Sequence, residues 1–123
     1  MTSGPTTEIW HNPRCSKSRA ALARLDENGV DYTVRRYLDD APTVEELRAV
    51  VDRLGVNPWD ITRTAEPVAK DLGMAKWSRD PADRDRWLTA LAEHPQLIQR
   101  PIVLTPDGRA VVARDEESLE KLG

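Results

Sequence analysis

One cysteine, two histidines and no phenylalanine are the scarcities of this sequence. A single thiol cannot close an internal disulfide or supply the cysteine cluster of a structural zinc site. If Cys15 does redox chemistry, its partner thiol is therefore external. His11 and His94 lie far apart without ligand spacing, and no metal is expected. Basic charge is not in excess: 18 Lys and Arg face 21 Asp and Glu, for a net charge of −3. That balance argues against a general nucleic-acid or anionic-membrane surface and leaves any anion site local. No stretch approaches the roughly twenty apolar residues of a membrane span, and Met1 to Thr7 has neither the charged nor the apolar region of a signal peptide. The expected partners thus include no nucleic acid and no membrane, and the expected location is the cytoplasm.

At 123 residues the chain fits one compact domain with one core. With 39% apolar and 32% charged residues, that core should lie beneath a heavily solvated surface. Residues 1–6, small and polar, read as a loose terminus. Glu8-Ile9-Trp10 fits a strand end, and Ser16 to Asn28 reads as a helix with Ala20, Ala21, Leu22 and Leu25 on one side and Gly29 as its stop. Tyr32 to Leu38, aromatic and β-branched, predicts a second strand, parallel to the first across a right-handed crossover.

From about residue 43 to 93 the pattern is helical. Thr43 and Glu46 form a capping box ahead of Leu47, Val50, Val51 and Leu54, and Gly55 ends the run. Asn57-Pro58 and Asp80-Pro81 each set a capping side chain before a first-turn proline, and Trp87, Leu88 and Leu91 give an apolar stripe. Trp59, Trp77 and Trp87 read as core. Pro101 to Leu104, the turn Thr105-Pro106-Asp107-Gly108 and Arg109 to Ala113 predict an antiparallel hairpin, with a short helix over Glu116 to Leu122. The expected fold class is α/β: a mixed sheet of about four strands flanked by helices, thioredoxin-like in order, with a helical insertion between the second and third strands.

The segment His11-Asn12-Pro13-Arg14-Cys15-Ser16-Lys17-Ser18-Arg19 sits where the first strand gives way to the first helix. There, unpaired backbone N–H groups and the helix dipole favour a thiolate or a bound oxyanion, and Arg14, Lys17 and Arg19 add positive charge. A free cysteine can also be a small core hydrophobe, but these polar and cationic neighbours favour a reactive Cys15 of lowered pKa. A Cys-x5-Arg oxyanion cradle would need arginine at Ala21. A Cys-x-x-Cys redox pair would need cysteine at Ser18. Both motifs are absent.

The motif His11, Asn12, Pro13, Cys15, Ser18 and Arg19 resembles that of the glutaredoxin-coupled arsenate reductase family, and the resemblance extends over about residues 8–122. Ile61-Thr62-Arg63-Thr64-Ala65-Glu66-Pro67 matches the family's second element, an arginine followed by Glu-Pro. His94-Pro95 and Arg100-Pro101-Ile102-Val103 match the third, and Arg114 matches the fourth, although Asp115 stands where proline is usual and Arg109 competes nearby. The resemblance implies a cis Arg100-Pro101 bond that brings Arg100 to Cys15. It also implies Cys15 as catalytic nucleophile, Arg63, Arg100 and Arg114 as substrate ligands, and His11, Ser18, Arg19 and Pro101 in support. Guanidinium forks suit a tetrahedral oxyanion because they engage two oxygens at once.

The function so implied is arsenate reduction. The Cys15 thiolate attacks arsenate, and the arseno-cysteine is resolved by an external thiol with a glutaredoxin-like protein, no cofactor being bound. Abundant Ala, Arg, Asp and Pro fit a GC-rich genome, in which mycothiol would replace glutathione. His11 either stabilises the thiolate as a cation or makes a loop hydrogen bond. Two rivals remain at this point: a thioredoxin-like regulator that binds RNA polymerase, against which Ser18 and the arginines count, and a family thiol oxidoreductase with another substrate.

Overall fold

The structure, a computed structural model, describes Thr7 to Glu120 and Leu122. The expected loose terminus, residues 1–6, lies outside the described residues. Contacts divide the chain into two compact units, one of residues 1–40 and 100–123, the other of residues 41–99.

The first unit holds the sheet. Strand β1 (Thr7–Trp10) leads through helix α1 (Ser16–Glu27) to β2 (Tyr32–Arg35), and β3 (Ile102–Leu104) and β4 (Ala110–Val112) form a hairpin before α5 (Glu116–Glu120). The strand order β2-β1-β3-β4 is mixed, because β1 pairs parallel to β2 and antiparallel to β3, which pairs antiparallel to β4. Its core contains Ile9, Ala21, Leu25, Val103, Val111, Ala113 and Leu122. Burying each larger aliphatic side chain contributes about 1.5–3 kcal/mol.

Two expectations for this unit need correction. Ala20 is exposed, and the buried face of α1 runs through Ser18, Ala21 and Leu25 instead. That is the i, i+3, i+7 stripe of a helix, and Ser18 can enter it because its hydroxyl finds partners. The second strand stops at Arg35 rather than reaching Leu38. The N–H groups of Asp39 and Asp40 both donate to the Arg36 carbonyl at 2.9 Å, which folds the chain into a turn. Asp39 and Asp40 are turn formers, and here they override the β propensity of Tyr37.

The second unit is helical, with α2 (Val44–Leu54), α3 (Pro67–Leu72) and α4 (Arg84–Glu93) joined by 3₁₀ turns. The capping box at α2 is complete: Thr43 Oγ1 accepts from the Glu46 N–H at 3.1 Å, and the Thr43 N–H donates to Glu46 Oε1 at 3.0 Å. Gly55 ends α2 at φ 69°, a left-handed conformation that costs glycine little. Leu47, Val50 and Val51 of α2 and Trp87, Leu88 and Leu91 of α4 are buried, and the two helices pack on each other. Trp87 is fully buried, with Trp59 and Trp77 edge-on to it at 6.0 and 5.4 Å. Those two are only half-buried, so they border the core rather than fill it. Trp77 also carries the Arg86 guanidinium 3.9 Å from its ring centroid, a contact available only to an aromatic face left open. Among the described residues, no helix is long and apolar enough to cross a membrane.

Candidate active site

The loop between β1 and α1 is built on Asn12. Its carbonyl accepts from the Cys15 N–H at 3.0 Å, its side-chain oxygen accepts from the Arg14 N–H at 3.0 Å, and its own N–H donates to Ser18 Oγ at 2.9 Å. Ser18 Oγ also lies 2.6 Å from His11 Nδ1, and both side chains are buried. Arg19 turns back so that Nη1 donates to the Pro13 carbonyl at 3.0 Å. The loop is therefore tied down from inside by His11 and Ser18 and from outside by Arg19.

Cys15 is the N-cap of α1, in extended conformation with φ −98° and ψ 123°. Its carbonyl accepts from the Arg19 N–H at 3.0 Å, the first bond of the helix. Its sulfur thus occupies the place where serine or aspartate would offer an oxygen to the free N–H groups of the first turn. Burial pushes the thiol pKa up, but the Ser18 N–H, then the Arg100 side chain, then the Lys17 N–H favour the thiolate, and the net displacement is downward from the ordinary thiol value. The first-turn N–H groups of Ser18 and Lys17 favour the thiolate as expected of a helix start, whereas the charge that acts on it is that of Arg100 rather than those of Arg14, Lys17 and Arg19.

His11 is displaced downward from the ordinary histidine range, by burial first and then by the positive charges of Arg36 and Arg19. A neutral ring does not stabilise the thiolate as a cation. Of the two roles open to His11, the geometry favours the loop hydrogen bond to Ser18.

Arg100 reaches the site through the sheet register. Trp10, the last residue of β1, pairs with Ile102, the first of β3, so the chain entering β3 passes the start of the cysteine loop. The Arg100–Pro101 bond is cis. The Arg100 guanidinium favours the Cys15 thiolate, and its Nε is buried without a hydrogen-bond partner among the described residues. A buried guanidinium N–H left unpaired is costly, so this donor is suited to an anion beside the sulfur. Arg114 Nη1 donates to the Arg100 carbonyl at 2.6 Å, so one of its donors is committed to holding Arg100. Arg109 is exposed and pairs with Asp107 in the hairpin turn at 2.8 Å. Arg63 belongs to the helical unit, where its guanidinium pairs with the Glu66 carboxylate and its N–H donates to the Leu97 carbonyl at 2.7 Å. The structural importance of Asn12 beyond its place in the motif was not drawn from the sequence, although Asn-Pro is a turn-initiating pair and signals it.

Comparison with known proteins agrees with this geometry. The family model described as the ArsC family matches residues 10–122. The chain is 60% identical over 112 residues to a Streptomyces viridochromogenes protein called "Uncharacterized protein in glnII region", covering 91% of this chain and 94% of that one. It is 42% identical over 117 residues to an arsenate reductase of Neisseria meningitidis, covering 94% of this chain and 97% of the relative. Among solved structures, the arsenate reductase from Vibrio cholerae superposes with a TM-score of 0.81 at 37% identity, covering 98% of this chain and 97% of that one. With the four-stranded mixed sheet, the cysteine at the helix start and the matched span of nearly the whole chain, the protein belongs to the ArsC family.

Proposed function

We propose that this protein reduces arsenate to arsenite, with Cys15 as its nucleophile. The observation that carries the reading is the Arg100 guanidinium set against the thiol of a helix-capping cysteine, with a buried N–H still free to bind an oxyanion. Arsenate docks on Arg100, and its negative charge is further met by the N–H groups at the start of α1. The Cys15 sulfur forms a bond to arsenic as one arsenic–oxygen bond breaks, and that oxygen leaves as water after taking up protons. Arsenic is still pentavalent in the resulting arseno-cysteine. Two external thiols then supply two electrons and become a disulfide, trivalent arsenic leaves as arsenite, and Cys15 returns as a thiol. One arsenate and two thiols thus give one arsenite, one disulfide and one water.

Arg114 enters this scheme by positioning Arg100, and Arg63 enters it as a substrate ligand on the strength of its sequence motif. The lone cysteine supports resolution by a small thiol, glutathione or mycothiol, together with a glutaredoxin-like protein, in a reducing cytoplasm. The test is direct measurement of arsenite from purified protein and arsenate, with glutathione plus glutaredoxin in one arm and mycothiol plus a mycothiol-linked redoxin in the other. Turnover is expected in one arm and lost in Cys15→Ser. Absence of arsenite in both arms, with retention of the protein by RNA polymerase, would overturn the enzyme in favour of a regulator.

A further inference from the structure

The loop His11-Asn12-Pro13-Arg14 and the turn at the end of β2 together enclose an open cavity of about 250 Å³, lined also by Arg36, Leu38 and Asp39. All of these residues lie in the first unit. Four of the lining residues, His11 to Arg14, belong to the loop that leads into Cys15, and Arg14 is its neighbour in the chain.

The lining is chemically mixed in a particular way. Arg14 and Arg36 offer only donors, Asp39 offers only acceptors, and Leu38, 42% exposed, supplies an apolar wall. Arg36 and Asp39 are 3.8 Å apart and both largely exposed, so their own pairing is weak and yields readily to a ligand. A ligand end that carries oxygen acceptors together with N–H or O–H donors satisfies all three charged groups.

We propose that this cavity binds the polar end of the small thiol that resolves the Cys15 adduct, an inference that rests on the function proposed above. Two thiols present the required chemistry. The γ-glutamyl end of glutathione carries a carboxylate for the guanidiniums and an ammonium for Asp39. The sugar–inositol end of mycothiol carries hydroxyls that both accept and donate. With the polar end seated among Arg14, Arg36 and Asp39, the sulfur-bearing part is left to extend along the loop toward the adduct. Glutaredoxin then meets a small thiol already seated rather than supplying it.

The test separates binding from turnover by using S-methylglutathione and S-methylmycothiol, which cannot react. Each is titrated into the full chain while the Leu38 methyl and His11 ring signals are followed by NMR. One of the two is expected to shift both signals, with affinity falling five- to twentyfold in Arg36→Gln and in Asp39→Asn but not in Arg53→Gln, which removes an equal charge from α2. In turnover, Arg36→Gln should raise the KM for the thiol by a similar factor without a matching rise in the KM for arsenate. Three results would overturn the proposal: no shift with either thiol, shifts that Arg36→Gln does not weaken, or shifts at these residues with the redoxin alone. Failure to form arsenite with intact thiol binding would instead count against the proposed function and leave the cavity assignment standing.

Discussion

The hydroxyl of Ser18, fully buried, serves two groups at once, the Asn12 N–H and the His11 ring. Ser18→Ala leaves both without a partner inside the protein, and the expected loss of stability is about 2 kcal/mol, measured by urea denaturation. His11 itself gives a pH signature. Its folded pKa lies below the ordinary value of about 6.5, so as pH falls below that value the unfolded chain takes up a proton that the folded chain resists. Stability should decline with acid in that window, and His11→Gln should flatten the decline in a series of unfolding curves. Cys15 shows the same sign in its own range. Because its folded pKa is lowered, its contribution is present above the unfolded thiol value and is lost as pH falls through the folded one. Alkylation by iodoacetamide should accordingly reach half its limiting rate at lower pH than in the urea-unfolded chain. Arg100→Gln should move that midpoint upward, and an unmoved midpoint would dissociate Arg100 from the thiol.

At the scale of elements, α1 begins with sulfur where an oxygen is the stronger cap, so part of the helix's stability is given up to the thiol. Cys15→Ser should abolish arsenite formation while unfolding at equal or higher denaturant concentration. The contrast is α2, whose capping box is complete; Thr43→Ala there should cost about 1 kcal/mol with no change in thiol reactivity. These caps were legible in the sequence because the groups that bond are three residues apart and no tertiary contact is needed to bring them together. The end of β2 was not. Tyr37 and Leu38 have strand character, and only the two hydrogen bonds to the Arg36 carbonyl show the chain already turning, which is what places Arg36, Leu38 and Asp39 around the cavity.

For the whole molecule, the arginines test whether oxyanion chemistry is assigned to the right residues. Arg100→Lys keeps the charge but loses the paired donors, and catalytic efficiency should fall roughly ten- to hundredfold, the equivalent of about 1.5–3 kcal/mol in the transition state. Arg63→Lys should fall within the same range if its motif carries the role that the family resemblance implies. Arg114→Lys should lose less, since its Nη1 acts on the Arg100 carbonyl, and Arg109→Lys, exposed and paired with Asp107, should be nearly silent. Equal behaviour of Arg100→Lys and Arg109→Lys in a steady-state arsenite assay would remove Arg100 from the substrate.

The helix start at Cys15, the capping box at Thr43, the glycine stops and the final hairpin were determined by the sequence itself, because each depends on groups within a few residues of one another. The sequence motif pointed to Arg100 only through family likeness; no local rule connects it with Cys15. Pairing of Trp10 with Ile102 across β1 and β3 makes that connection, and the Arg114 bond to the Arg100 carbonyl secures it. The lowered pKa of His11 was largely a tertiary matter, since its burial and the charge of Arg36 arise only in the folded chain, whereas Arg19 is held nearby by the loop itself. Hydrogen bonds between near neighbours can be read along a chain, whereas the field at the Cys15 sulfur adds to its local N–H groups a guanidinium, that of Arg100, which only the sheet brings into range.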